Sequence, residues 1–123
     1  MIQTFTISGR LPGINDYTAA QRRNKYGGAK MKKAAQKHVE AEIWAARLRT
    51  VDSRARLVYT FYEPNRRRDM DNISGFAHKV IQDALVNCRI LSGDGWKNIT
   101  GMTDVFKIDS DNPRIEVTLV SEG

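Results

Sequence analysis

An amphipathic repeat between Ile73 and Leu85 limits the folds that this chain can adopt. Its apolar residues recur at steps of three and four, the spacing that places side chains on one face of an α-helix. The members of this stripe are Ile73, Phe76, Ala77, Val80, Ile81, Ala84 and Leu85. A helix with such a continuous apolar face must be covered by another layer, so the rest of the chain must supply a sheet or a second helix.

Strand-forming segments provide that layer. Runs that are rich in β-branched and aromatic residues, or that alternate apolar with polar residues, are typical of strands. Four such segments are Ile2–Ser8, Ala55–Glu63, 101–109 and 113–121. In the last of them Ile115, Val117 and Leu119 alternate with polar side chains, which predicts a strand with one buried face.

A second helix is predicted from about residue 29 to residue 49. Its apolar stripe consists of Met31, Ala35, Val39 and Ile43. Segment 9–18 is rich in Pro, Gly, Asn and Asp, which predicts a loop. Segment 89–98 combines a short apolar run with a Gly-Asp-Gly turn and leaves room for one helical turn.

The predicted order of elements is β–α–β–α–β–β, without internal repeats or a low-complexity linker, over a single domain of residues 1–123. This order predicts an α+β fold: a mixed, mostly antiparallel four-stranded sheet with two main helices packed on one face. A chain of 123 residues can bury such a core without disulfides.

Cysteine and histidine are scarce: there is one cysteine, Cys88, and two distant histidines, His38 and His78. A single cysteine excludes an internal disulfide, and the set offers no ligand spacing for zinc. No apolar run reaches the length of a membrane span. We therefore expect a cytoplasmic protein that does not enter a membrane.

The charge is positive and unevenly distributed, with a net charge of +6 and a pI near 9.7. Between Tyr17 and Val39 there is no acidic residue, whereas the basic residues are Arg22, Arg23, Lys25, Lys30, Lys32, Lys33 and Lys37. Arg66, Arg67 and Arg68 form a second basic cluster. Such a distribution fits either a solvated basic face or a surface that binds a polyanion, and we favour nucleic acid as the partner.

Two carboxylates, Asp69 and Asp71, follow the arginine cluster directly and stand where the Ile73–Leu85 helix begins. In an extended stretch, residues two apart project to the same side, and together they form a hard oxygen site of the kind that Mg²⁺ accepts. Two ligands are few, so a third should come from elsewhere, and Asp94 between two glycines is the best candidate. The alternative is structural: the aspartates cap the helix, with Asp71 or Asn72 as N-cap, or pair with the arginines.

Lys79 and His78 lie on the polar side of the same helix. Lys79 stands four residues before Asp83, so it either forms an ordinary helix-surface ion pair or serves as a cation that reaches a scissile phosphate. For His78 we favour a solvated helix residue over a general base.

These residues carry a family resemblance. The segment "RRRDMDNISGFAHKVIQDAL", followed by "ILSGDGWKNI", resembles the RusA family of Holliday-junction resolvases, small endodeoxyribonucleases common in prophages. The similarity extends more weakly to "LPGINDYT" after the first strand and to "RIEVTL" in the last. The resemblance implies a homodimer that binds four-way DNA junctions and uses Mg²⁺, with Mn²⁺ as a substitute, to nick two opposed strands.

In terms of residues, the resemblance implies that Asp69, Asp71 and Asp94 are the metal-binding and catalytic carboxylates and that Lys79 is the active-site lysine. The DNA-binding residues expected beside them are Arg66, Arg67, Arg68, Asn72, Lys97, Asn15, Arg22, Arg23, Lys25, Lys30 and Lys33. Two alternatives stay open: a non-catalytic basic module that binds nucleic acid, and a nuclease that acts on other branched DNA.

Overall fold

The computed structural model describes residues 1–122, which form four strands and three helices. In chain order these are β1 (Ile2–Ser8), α1 (Ile14–Arg23), α2 (Gly27–Ala46), β2 (Ala55–Glu63), α3 (Met70–Asn87), β3 (Ile99–Ile108) and β4 (Arg114–Ser121). The strands form one mixed sheet, in which most pairings are antiparallel. The predicted α+β fold class is therefore confirmed.

The strand order across the sheet is β1-β4-β2-β3. β4 lies between β1 and β2 and is antiparallel to both, whereas β3 is parallel to β2 and pairs with no other strand. Parallel neighbours need a crossover connection, which α3 provides. As a result, the start of α3 lies near the end of β3, and the end of α3 lies near the start of β3.

The core occupies one face of the sheet. Along β2 and β4 every second side chain is buried, which is the burial pattern that a strand with one covered face produces. All seven members of the predicted α3 stripe are buried against this face, and α2 adds Ala35, Val39 and Ile43. The predicted α3 stripe is thus confirmed as core, and so is the α2 stripe except for Met31, which is only partly buried.

Segment 9–18 was expected to be a loop, and for its second half that prediction is wrong, because α1 begins at Ile14. The Gly13 backbone N–H donates to the Asp16 carboxylate at 2.9 Å, which satisfies one free donor at the helix start. The Tyr17 ring packs on Phe76 of α3, with ring centroids 4.7 Å apart. α1 has no fully buried residue, so packing on α3 contributes to its stability.

The remaining boundaries differ from prediction by a few residues. α2 begins two residues earlier than expected, at Gly27, and ends at Ala46, because Arg47 adopts a left-handed conformation with φ 52°. Between Cys88 and Asn98 the chain forms turns, and the last of them is a single helical turn, since the Ile99 N–H donates to the Gly95 carbonyl four residues earlier.

Candidate functional site

The start of α3 presents two carboxylates without a protein partner. Asp69 is the N-cap residue, in an extended conformation, but its side chain makes no capping hydrogen bond; Asp71 lies in the first helical turn. The prediction of Asp71 or Asn72 as N-cap is therefore wrong. Within residues 1–122 neither carboxylate forms a side-chain hydrogen bond or an ion pair. The two groups neither cap the helix nor neutralise the arginines, which leaves their oxygens available to a cation.

Asn72 ties the start of α1 to the start of α3. Its Oδ1 accepts a hydrogen bond from the Asn15 backbone N–H at 2.9 Å. Gly13 lies so close to Asn72 that a Cβ at position 13 would overlap Asn72 Oδ1, so only glycine fits there without a shift. Asn72 therefore has a positioning role, and it places the exposed Asn15 beside the two aspartates.

The arginine cluster divides into two functions. Arg68 donates twice to the Glu63 carboxylate, at 3.1 and 3.0 Å, and once to the Leu11 carbonyl, at 3.1 Å. Arg10 also donates to Glu63, at 2.8 Å. The donors of Arg68 are thus used by the fold, whereas Arg66 and Arg67 are exposed and have no ion pair in the described part of the chain.

The same contacts set the charge of Glu63. Burial by itself would raise the pKa of this carboxyl, but the hydrogen bonds from Arg68 and Arg10 and the charges of both guanidiniums outweigh it, so the pKa lies below its ordinary value. Glu63 is therefore ionised at neutral pH, and it holds Arg68 directly before the two aspartates.

Asp94 lies at the opposite end of α3. It borders grooves lined by Gln82, Asp83, Asn87 and the first residues of β3. Asp71 and Asp83 are twelve residues apart on one helix, which corresponds to about 18 Å along its axis. Accordingly, no group of three possible acidic, histidine or cysteine ligands occurs in one chain within residues 1–122. The structure brings Asp69 and Asp71 together, but not Asp94.

The turn that carries Asp94 is braced from within. The Asn98 side chain donates to Ser92 Oγ at 2.9 Å, and the Asn98 and Ile99 backbone N–H groups both donate to the Gly95 carbonyl at 3.0 Å. Asp94 itself is exposed, as are its neighbours Trp96 and Lys97. A rigid turn therefore presents a carboxylate, an indole and an ammonium group to whatever approaches this end of β3.

Lys79 lies eight residues beyond Asp71, about 12 Å along the helix. Its ammonium group is 3.6 Å from Asp83 Oδ1, and Asp83 also binds Lys32, at 2.7 Å. The structure thus contains the helix-surface ion pair that was one of the two interpretations of Lys79. Its catalytic role stays a prediction.

His78 is partly buried and bound to a carboxylate, so the prediction of a solvated helix residue is wrong. Its Nε2 is 2.7 Å from Asp104 Oδ1 on β3, and its ring lies 4.6 Å from the ring of Tyr59. Gln82, one turn further along, donates to the Tyr59 hydroxyl at 3.1 Å. Asp104 lies directly opposite Tyr59 in the parallel register of β2 and β3, a pairing that no sequence pattern within β3 shows.

The predicted basic residues on the helices are exposed. Arg22 and Arg23 end α1, Lys25 lies 5.5 Å above the Tyr26 ring, and Lys30 and Lys33 follow on α2. None of the five forms an ion pair within residues 1–122. A groove of about 450 Å³ continues this basic surface between α2 and α3, lined in part by Lys32, Lys33 and Lys37. The surface is suited to phosphate contacts.

Among residues 1–122, no helix combines the length and the apolar character needed to cross a membrane. Comparison of the chain with models of known protein families, and with curated proteins, found no match.

Proposed function

We propose that this protein is a Mg²⁺-dependent, structure-selective endodeoxyribonuclease of the RusA type that resolves four-way DNA junctions as a homodimer. The observation that carries the proposal is the pair Asp69 and Asp71, which stands at the start of α3 without a protein partner, beside the exposed Arg66 and Arg67. The positive end of the helix dipole favours negative charge there, and paired carboxylates are ligands that Mg²⁺ accepts.

Each group has a task in phosphodiester hydrolysis. Asp69 and Asp71 would hold Mg²⁺, which when bound would supply the positive charge that lowers the pKa of a water and stabilises the leaving oxygen. Arg66 and Arg67 bind the phosphates beside the scissile one, because a guanidinium can donate two hydrogen bonds to one phosphate. The water oxygen ends on the 5′-phosphate and a proton ends on the 3′-oxygen, so the products are a 5′-phosphate and a 3′-hydroxyl.

The third carboxylate explains why the active form is a dimer. In one chain, Asp94 is separated from Asp71 by most of the length of α3, so it cannot complete that chain's own site. A second copy related by two-fold symmetry can place its Asp94 there, and the same operation builds a second, identical site. Two equivalent sites match the requirement for nicks in two opposed strands.

The primary test is cleavage of a labelled, immobile four-way junction in Mg²⁺, compared with a flap and with a linear duplex of the same arms. We expect paired nicks from the wild type, and junction binding without cleavage from Asp71→Asn. Asp111→Asn is the matched control, because Asp111 is an exposed aspartate in the turn between β3 and β4. Equal cleavage by both variants would exclude Asp71 from the reaction.

Mixing two inactive variants tests whether the site is shared between chains. In a heterodimer of Asp71→Asn and Asp94→Asn, one site carries both substitutions and the other is intact. Random exchange makes half of the dimers mixed, so about a quarter of the sites should recover, and the products should be single nicks. If each site lay within one chain, mixing would restore no activity.

A second candidate function is a non-catalytic module that binds branched DNA. The observation in its favour is that a single chain holds no cluster of three possible ligands within residues 1–122. Both functions predict binding that weakens steeply with salt, since Arg66, Arg67 and the basic surface of α1 and α2 contact phosphates. Junction binding without cleavage in Mg²⁺ or Mn²⁺ would favour the second candidate.

A further inference from the structure

We infer that β3 is the strand through which two copies of this chain join, and that Trp96 of each copy docks into an apolar cleft of the other. The two β3 strands pair antiparallel across a two-fold axis and extend the sheet to eight strands. This deepens the proposed function, on whose homodimer it rests, by naming the surface and the anchor residue. It does not depend on nuclease activity, so the two can fail separately.

Exposed apolar side chains concentrate along this edge. Of the eight large apolar side chains exposed within residues 1–122, four lie on β3 or beside its ends: Met70, Trp96, Met102 and Ile108. Trp96 is 96% exposed, although its turn is held in place by the hydrogen bonds of Asn98. A rigid turn thus exposes a tryptophan side chain to water. Because aromatic residues contribute much of the binding energy of protein interfaces, we assign Trp96 as the residue that inserts into a pocket of the second copy.

β3 is also an edge strand of the sheet, with Asp104 and Lys107 as its charged residues. It is ten residues long, contains no proline and pairs on one side only, with β2. The other edge strand, β1, is shorter, and its end is occupied: the Ser8 N–H donates to Glu42 at 2.8 Å, and the Ser8 carbonyl lies 2.8 Å from His38 Nε2. An open strand edge of this length is a template for another strand, so β3 is the edge that pairs.

The pocket for Trp96 lies at the opposite end of β3. A cleft of about 520 Å³ separates the start of α3 from the end of β3; Met70, Ile73, Phe106 and Ile108 form its apolar part, and Asp69 and Arg66 of the candidate site line its polar part. Trp96 and Met102 border a groove with Gln82 of α3, so the indole lies on the same side of the sheet as this cleft. Trp96 and the cleft therefore lie at opposite ends of β3, on the same side of the sheet.

That arrangement is self-complementary. A two-fold axis perpendicular to the sheet, at the open edge of β3 and level with its middle, keeps α3 of both copies on the same side and sets Ile99 of one copy against Ile108 of the other. The turn before one β3 then meets the cleft after the other, so Trp96 enters the cleft twice by symmetry. The same rotation carries Asp94 toward the end of the second copy that bears Asp69 and Asp71.

The test compares the dimer dissociation constants of two tryptophan variants by sedimentation equilibrium. Trp96→Ala removes the anchor, and Trp44→Ala is the matched control, because Trp44 is 68% exposed on α2, away from this edge. Circular dichroism checks that both variants fold, as expected for exposed residues. We expect Trp96→Ala to raise the dissociation constant about 30-fold or more, the effect of losing a buried aromatic anchor, and Trp44→Ala to leave it unchanged.

Hydrogen exchange of the wild type supplies the second measurement. On dilution through the dissociation constant, amides of Ile99–Ile108 should lose protection, whereas amides of β1 should not. The inference is overturned by a wild type that stays monomeric, by equal dissociation constants for the two variants, or by exchange changes confined to other elements. Quenching of Trp96 fluorescence by single-stranded DNA in a monomeric protein would assign the indole to a nucleic-acid base instead.

Discussion

Replacing Arg68 by alanine should cost more stability than replacing any other arginine of its cluster. Arg68 is the only one of the three that lies inside the Glu63 network, where it makes three of the four hydrogen bonds that join Glu63, Arg10 and Leu11. The Glu63 side chain is only 6% exposed, and that of Arg68 is 17% exposed. Arg68→Ala would therefore leave a nearly buried carboxylate with Arg10 as its one cation.

The magnitude follows from that burial. Removing one partner of a buried ion pair costs about 3–5 kcal/mol, because the other charge is left uncompensated. Arg10 still compensates part of the Glu63 charge, so we expect about 3 kcal/mol for Arg68→Ala. The Arg10 side chain is 36% exposed and donates once, so Arg10→Ala should cost about 1 kcal/mol. Both values are smaller than the stability of a typical domain, so both variants should fold.

The assay is urea unfolding at pH 7, followed by circular dichroism, with Arg67→Ala as the control. Arg67 is exposed and has no ion pair in the described chain, so its loss should change the unfolding free energy by less than about 0.5 kcal/mol. The same substitution should weaken junction binding and lower the salt slope by about one. A cost for Arg10→Ala equal to or above that for Arg68→Ala would refute the reasoning.

Three further predictions concern stability and reactivity. Because the pKa of Glu63 is lowered in the folded state, its stabilising contribution is present above its ordinary value of 4.5 and is lost as the pH falls through the folded value. The difference in unfolding free energy between wild type and Glu63→Gln should therefore narrow below pH 4.5. Gly13→Ala should lower stability by about 1–3 kcal/mol in thermal unfolding, and by less in an Asn72→Ala background, because the added Cβ meets the Asn72 side chain. Burial, with a contribution from the Glu40 charge, raises the pKa of Cys88, so this thiol should react with a disulfide reagent at pH 8 at least about tenfold more slowly than in the urea-unfolded chain.

The periodic parts of the sequence were sufficient to predict the fold. The alternation of apolar and polar residues in β4 and the apolar stripe of α3 indicate which side chains are buried, because the side chains that face the core are apolar. The sequence of α1 shows no such apolar pattern, since none of its residues is fully buried. This helix depends on contacts with residues more than fifty positions away, such as Asn15 with Asn72. Sequence patterns within one element cannot show such contacts.

The candidate site was predictable only in part, for a related reason. Asp69 and Asp71 are neighbours in sequence, so their proximity required no knowledge of the fold. Asp94 was grouped with them by residue type, but the intervening α3 is a rigid rod of 18 residues, about 27 Å long. The length of that helix was already implied by its apolar repeat. The structure shows in addition that the segment after α3 does not run back along it, because Asp94 lies beside Gln82 and Asp83.

Because α3 separates Asp94 from Asp69 and Asp71 within one chain, DNA cleavage should depend on dimer formation. This dependence can be tested. If Asp94 reaches the other two aspartates only in a β3-paired dimer, then Trp96→Ala and Asp71→Asn both lose cleavage, but for different reasons. The first variant retains every carboxylate and lacks only association, so raising its concentration above its dissociation constant restores the dimer by mass action. The second dimerises normally and lacks a metal ligand, so raising its concentration cannot restore cleavage.

We therefore expect junction cleavage by Trp96→Ala to recover in proportion to the dimer fraction measured in the ultracentrifuge, and cleavage by Asp71→Asn to stay absent at every concentration. If Trp96→Ala cleaved normally while monomeric, each site would have to be complete within one chain, and Asp94 would have no part in it.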